Sequence, residues 1–340
     1  MRHPAGPPDA CHGRRVVDFG YTLFTEQADP RQLVRDSVAA ERAGFDFAVS
    51  SDHYFPWLDE LGHSAYCWAV LGAVAHATER MRLMTYVTCP TIRYHPAVVA
   101  QKAATLQLLS EGRFTLGLGA GENLNEHVVG LDWPPVNVRH EMLAEACEII
   151  SALFDGGYVN YVGEHYRVDS AKLWDLPEER VPLAMAVSGR QSCTVFGPLG
   201  DHLVATEPKA ELVRMWDEAR PGRATSRKIG QQPLAYGPDR EEAVRRAHRL
   251  FRWFGGGWKV NSEIPSTAGF AAASQFVRPE DVAATIPCGP DVARHVDAVR
   301  PFVEAGFTDV ALVQAGADRQ DEFFRFAEGE LLPALRAEFG

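Results

Sequence analysis

One histidine in this chain stands among residues that could make it a proton carrier. His53 lies in "SSDHYFPW" (Ser50 to Trp57), directly after Asp52 and four residues before Trp57. Two carboxylates, Glu26 and Glu122, occur at comparable places, each just past an apolar, β-like run. A base, two carboxylates able to act as acids or orienters, and an aromatic wall suit proton abstraction coupled to a second transfer. Each residue also has a plain structural reading. Asp52 either caps the next helix or orients His53. His53 is either a base or a hydrogen-bonded, inert strand-end histidine. Trp57 taken alone reads as core, and Glu122 as a carboxylate favoured by a helix N-terminus. No serine sits in a nucleophile elbow and no P-loop is present. His53 has no H-x-x-x-H partner, so no metal is expected.

These residues need elements to hold them. "VVDFGYTLF" is strand-like, and "PRQLVRDSVAAERAG" has helical spacing that stops at Gly44. Further β-like runs are "FDFAVSS", "MRLMTYVTC", "RFTLGLGAG", "PLAMAVS", "DHLVAT", "IGQQPLAYG" and "TDVALVQAG", with helix-like stretches between them. Two segments interrupt the alternation: a hairpin-like insertion near 156–176 and a Gly-rich, irregular one near 254–290. About eight β-like runs separated by helices predict an α/β fold of the TIM-barrel type, one domain over 16–340. An open doubly wound sheet fits the alternation too, but no G-x-G-x-x-G follows the first strand. In a barrel, catalytic groups gather at the C-terminal strand ends, which is where Glu26, His53, Glu122, Ser188, Lys209 and Gln314 fall. "SGRQS" (Ser188 to Ser192) joins a strand to a helix and suits an anion such as a cofactor phosphate. The glycines of "LGLGAGENLNE" let a flat ring approach the backbone. Lys209 alone reads as a solvated surface lysine.

The composition narrows the classes. The chain has 340 residues, 46% apolar and 23% charged, with a net charge of −11. That balance argues against nucleic acid as a partner. Six scattered cysteines without a C-x-x-C suit reduced thiols in a cytoplasm. Arg14-Arg15 is followed by an acidic stretch without a long uncharged region, which does not read as an export signal. No apolar run is long enough to span a membrane. Residues 1–15 read as a disordered leader.

The series "GYTLFTEQ", "SSDHYFPW", "CPTIRYHP", "LGAGENLNE", "NSEIPS" and "IPCGPD" resembles the luciferase-like superfamily. Within it, the chain is similar to the coenzyme F420-dependent oxidoreductases of the glucose-6-phosphate dehydrogenase type, from about Val16 to Glu338. The resemblance implies a TIM barrel with insertions, a homodimer, a small-molecule substrate and coenzyme F420 at the C-terminal mouth. It implies His53 as the base on the substrate hydroxyl, Trp57 as a wall of the reacting centre, Glu122 as the acid toward the deazaflavin, and Glu26 near the carbinol. It implies cofactor contacts at Asp52, Gly119, Gly121, Asn125, Val187, Ser188, Gly189, Arg190 and Gln191, and a cis peptide at Tyr86-Val87 behind the ring. Of three cationic side chains that hold a sugar phosphate in that type, Lys209 matches one. "STAGFAAA" and "EDVAATIP", where the others would fall, contain no Lys or Arg. A different sugar phosphate, an unphosphorylated alcohol or a larger hydroxylated metabolite is then open as substrate, with Lys259 and Arg252 as other sources of charge. An FMN-dependent monooxygenase on the same barrel is the alternative activity.

Overall fold

The computed structural model describes residues 17–222 and 226–340, so the leader expected over 1–15, with Cys11 and Arg14-Arg15, lies outside the described residues. Among the described residues, ten strands form in two sheets: β1 (Asp18–Leu23), β2 (Phe47–Ser50), β3 (Arg82–Thr85), β4 (Phe114–Leu118), β5 (Val159–Val162), β6 (Arg167–Ala171), β7 (Leu183–Ala186), β8 (His202–Val204), β9 (Lys228–Leu234) and β10 (Asp309–Gln314). Eight of them close a parallel barrel in the order β1-β10-β9-β8-β7-β4-β3-β2. All eight C-terminal ends therefore open on one face. The remaining pair, β5 and β6, is an antiparallel hairpin between α5 and β7, inside the stretch expected to interrupt the alternation.

The helices begin with α1 (Pro30–Ala43), α2 (Cys67–Ala77), α3 (Pro96–Leu109), the single turn α4 (Asn123–Glu126) and α5 (Val136–Phe154). They continue with α6 (Arg190–Phe196), α7 (Ala210–Glu218), α8 (Arg240–Phe251), α9 (Trp258–Asn261), α10 (Thr267–Ala273) and α11 (Pro279–Thr285). The series ends with α12 (Val292–Glu304), α13 (Gln320–Phe326) and α14 (Leu332–Phe339). The first shows how local chemistry sets the ends. Asp29 accepts the backbone N–H of Arg31 and Gln32, Pro30 fills the first turn, and Gly44 stops the helix at φ 97°. The Gly-rich segment after α8 departs from the irregular chain expected of it. It folds into a 3₁₀ turn and three short helices, because Ser266 and Arg278 with Asp281 supply N-terminal caps and Phe270 and Val282 supply buried anchors.

The barrel is filled, so chemistry is confined to its mouth. Phe47, Val49, Met84, Ala184, Val204, Ile229 and Ala311 pack in the lumen, with Tyr86, Val87 and Ala186 resting on them toward the C-terminal side. At the opposite end Arg82 and Arg227 share Asp18 and Asp309; Arg82 Nη2 lies 2.7 Å from Asp18 and Arg227 Nε 2.9 Å from Asp309. That network joins strands β1, β3 and β10 and the entry to β9.

Between β3 and β4 the backbones come close. Thr85 Oγ1 donates to the Gly117 carbonyl at 2.9 Å and accepts the Gly117 N–H at 3.0 Å. A Cβ at Gly117 would stand 1.9 Å from the Thr85 carbonyl oxygen. Gly117→Ala is therefore expected to destabilise the protein by about 3 kcal/mol, as overpacking does in a closed core. Urea unfolding of the variant checks this; an unchanged midpoint would show that the two strands can separate without cost.

Candidate active site

β1 and β2 run parallel with Leu23 opposite Ser50, so the segments after them emerge side by side. Glu26 is fully buried there. Ser51 Oγ and Thr25 Oγ1 donate to its Oε2 at 2.6 and 3.1 Å. Its Oε1 lies 2.6 Å from His53 Nδ1. On the other side of the ring, Nε2 is 3.1 Å from Glu122 Oε1. The imidazole is thus clamped between carboxylates from the ends of two strands that are not neighbours, β1 and β4.

The clamp sets the charge of the ring. Burial works against protonation, but the charges of Glu26 and Glu122, in ion-pair contact on either side of the ring, outweigh it and hold the His53 pKa at about 10. Burial likewise opposes ionisation of Glu122, yet His53 and Asn125 hold its carboxyl below the ordinary range. The raised pKa of the ring and the lowered one of the carboxyl favour an imidazolium facing a carboxylate. The plain reading of Glu122 as a helix-terminus carboxylate does not hold: it occupies the N-cap of α4 without capping it, and its side chain turns to His53 and Asn125.

Asn125 joins the two halves. Its Nδ2 donates to Glu122 Oε1 at 2.6 Å, while its Oδ1 accepts the N–H groups of Tyr54 and Phe55 at 2.7 and 2.9 Å. Asp52 works from below. Thr88 Oγ1 and Trp68 Nε1 donate to its Oδ2 at 2.7 and 3.0 Å, and Tyr94 and Arg93 to its Oδ1 at 3.1 and 3.3 Å. It caps no helix; α2 begins at Cys67 after Tyr66. Arg93 also meets the buried Glu126 through its backbone N–H, at 2.8 Å. Burial raises the Glu126 pKa to about 7, against the pull of Arg93.

Trp57 resolves into both of its readings. It is 6% exposed and belongs to an apolar cluster, yet its ring meets His53 edge to face, with centroids 4.9 Å apart. The other expected residues form a floor beside the clamp. The Tyr86-Val87 peptide is cis. Gly119 passes so close that a Cβ would stand 2.7 Å from Val87 Cγ2. Gly121 has φ +79°, and a Cβ there would stand 2.4 Å from Cys89 Sγ. Val187 follows β7, next to Ser188 and Gly189, whose N–H groups both point to the Ser192 hydroxyl, at 3.1 and 3.2 Å. Arg190 and Gln191 open α6 and are exposed. Gly119 lets the backbone pack directly on Val87 and Ala186 at the top of the apolar lumen, so apolar groups of the kind that would back a flat ring are held there. Lys209 is mostly exposed and ion-paired with Glu207. Gln314 turns sideways to bracket the Tyr236 backbone and is buried.

The sequence reading gave no role to Ser51, Thr25, Thr88, Trp68, Arg93 or Trp253. The signal was present for one pair only: "CPTIRYHP" places Arg93 and Tyr94 after a strand end. Trp253 stacks on Trp57 at 4.2 Å and 13° from nearly 200 residues away, which no local pattern reveals. Among the described residues, no group of three or more His, Cys, Asp or Glu could hold a metal ion.

A filled parallel barrel with an acid–base clamp at its C-terminal mouth defines a TIM-barrel enzyme. Its family follows from comparison: the luciferase-like monooxygenase family model matches residues 17–309, and the chain belongs to that family. An F420-dependent glucose-6-phosphate dehydrogenase from Beutenbergia cavernae is 35% identical over 336 residues, covering 95% of this chain and 98% of the relative. An F420-dependent hydroxymycolic acid dehydrogenase from Mycobacterium tuberculosis is 34% identical over 325 residues, covering 93% and 88%. Among solved structures, an F420-dependent secondary alcohol dehydrogenase in complex with an F420-acetone adduct superposes with a TM-score of 0.86 at 26% identity, over 94% of this chain and 99% of that one.

The clamp makes a sharp prediction. ¹³C NMR of the labelled histidines should show His53 protonated from about pH 6 to 9. Glu26→Gln removes one carboxylate charge and should lower its pKa by about one unit or more. A His53 that titrates near its ordinary value in the native protein would show that the clamp does not hold charge.

Proposed function

We propose that this protein is a coenzyme F420-dependent oxidoreductase that moves a hydride between a carbinol or carbonyl carbon and C5 of the deazaflavin. The observation that carries the reading is the Glu26–His53–Glu122 clamp, beside an apolar floor and with F420-dependent relatives along nearly the whole chain. When bound, coenzyme F420 supplies a two-electron hydride carrier that reacts poorly with oxygen. Tyr86, Val87, Gly119 and Val187 would seat its ring, and Ser188 to Gln191 its anionic tail, with Gly121 and Asn125 shaping the edge. Asp52 supports that seat from beneath through Thr88 and the backbone before His53.

The residues then have separate tasks. His53 exchanges the proton of the substrate oxygen, Glu122 exchanges the proton required on the cofactor side, and Glu26 holds the imidazole and lies near the carbinol. Trp57 keeps water from the reacting carbon. One proton on the His53–Glu122 pair serves both directions. With the proton on His53, the state its raised pKa favours, the site can protonate a carbonyl oxygen. With the proton on Glu122, His53 is the base that a carbinol needs. His53 is charged below about pH 10, so carbonyl reduction should persist into alkaline pH and fall as pH rises through about 10.

The surroundings support two finer assignments. Cys67, Cys89, Cys147, Cys193 and Cys288 are buried and unpaired, which suits the cytoplasm. An apolar groove of about 650 Å³ runs along α1 and α2, lined by Val34, Ala65, Tyr66, Ala69, Val70 and Ala73. We assign it to a second copy of the chain, since small residues let helices approach closely. Sedimentation should give a dimer that Ala69→Glu dissociates; a monomeric native protein would remove this assignment.

Titration with coenzyme F420 and with FMN, followed by tryptophan fluorescence, tests the central reading. Binding of coenzyme F420 and a fall in turnover of about 10²–10⁴-fold in His53→Ala, with affinity nearly intact, are expected. Tight FMN binding with no response to coenzyme F420 would instead support a flavin monooxygenase.

A further inference from the structure

The roof of the mouth carries information about the rest of the substrate. The segment after α8 contributes Trp253, Ile264, Phe270 and Val277 to the apolar cluster that holds Trp57. Trp253 lies parallel to Trp57, and Phe270 meets Trp57 edge-on at 5.1 Å. Moving outward from the His53 ring, the first group is an indole and the next is a second indole that is only partly buried. A sugar phosphate would need cations in this place, free to make charge-assisted hydrogen bonds. Four cations are engaged in ion pairs. Arg252 Nη2 meets Glu60 at 2.7 Å, Arg139 Nη2 meets Glu263 at 2.8 Å, Arg278 Nη2 meets Asp281 at 2.7 Å, and Lys209 pairs with Glu207. Lys259 is exposed on α9, a single point charge on a flexible stem. The inner mouth, moreover, holds two carboxylates against one imidazolium.

Resting on the reading of the site as an F420-dependent oxidoreductase, we propose that its substrate is an uncharged carbinol or ketone with an aromatic or alicyclic flank, which packs on the partly exposed Trp253, backed by the buried Phe270, while its oxygen meets His53. Aromatic contact area fixes the flank where a sugar phosphate would be fixed by charge. Trp253 is then a specificity-determining residue that touches the flank and not the reacting carbon.

The test uses the full-length protein with oxidised coenzyme F420, whose binding is first measured by fluorescence. The panel is 1-phenylethanol, cyclohexanol, propan-2-ol and glucose 6-phosphate, followed by loss of the oxidised cofactor absorbance. The expected kcat/KM for the ring-bearing alcohols exceeds that for glucose 6-phosphate by about 100-fold or more. Trp253→Ala should raise KM for 1-phenylethanol by about 10-fold and for propan-2-ol by less than about 3-fold, with cofactor affinity unchanged and Trp253→Phe restoring most of the loss. Cofactor binding with turnover of glucose 6-phosphate alone, or of none of the ring-bearing alcohols, overturns the proposal and leaves the cofactor reading standing. Failure to bind coenzyme F420 overturns that reading and the proposal with it. The wild-type panel decides the matter even if Trp253→Ala does not fold.

Discussion

An imidazole buried between two carboxylates is costly to assemble and hard to displace. Removing His53 and its partners from water penalises each charge, and only close, mutual contact offsets that penalty. The contacts of 2.6 and 3.1 Å meet the requirement, and they do so only if three separate strand ends keep their relative positions. Much of the surrounding structure is accounted for by that demand. The hydroxyls of Thr25 and Ser51 satisfy the far oxygen of Glu26, leaving the near one for His53. Asn125 fixes Glu122 and the chain after His53 with one amide. Asp52, buried and held by four side chains, leaves the backbone before His53 little freedom to move.

The same logic divides the barrel into two ends. At one end, Arg82 and Arg227 bind Asp18 and Asp309, a partly exposed network that fastens strands together. At the other, buried charges face each other across the mouth. A lumen packed with Phe47, Met84 and Ile229 separates the two, so the site has a single face open to ligands. Separation of this kind lets the mouth hold strained electrostatics while the opposite end supplies stability.

What the sequence revealed follows from the range of the forces involved. Strands and helices were legible because their apolar periods are local, and eight β-like runs led to the barrel. Strand-end position was legible for Glu26, His53 and Glu122, since each closes an apolar run. Their charge state was not, because it depends on distances between residues about 27 and 70 positions apart along the chain. The Gly-rich segment after α8 was misread as irregular because its caps and anchors are single residues: Ser266 and Phe270 hold α10, and Val282 holds α11. Its consequence, Trp253 placed flat on Trp57, arises from the closed barrel rather than from any period in the chain.

Burial of the clamp also bears on how protons are counted. A carbinol that becomes a carbonyl loses a hydride and a proton, and a carrier that takes up both returns nothing to solvent. A site for such a reaction needs one mobile proton and a short path, not an exit to water. The structure has that form: His53 and Glu122 have side chains 9% and 12% exposed, and Glu26 has none of its surface exposed. The aromatic roof of Trp57, Trp253 and Phe270 is consistent with the same economy, since a substrate flank that is itself apolar completes the seal as it binds.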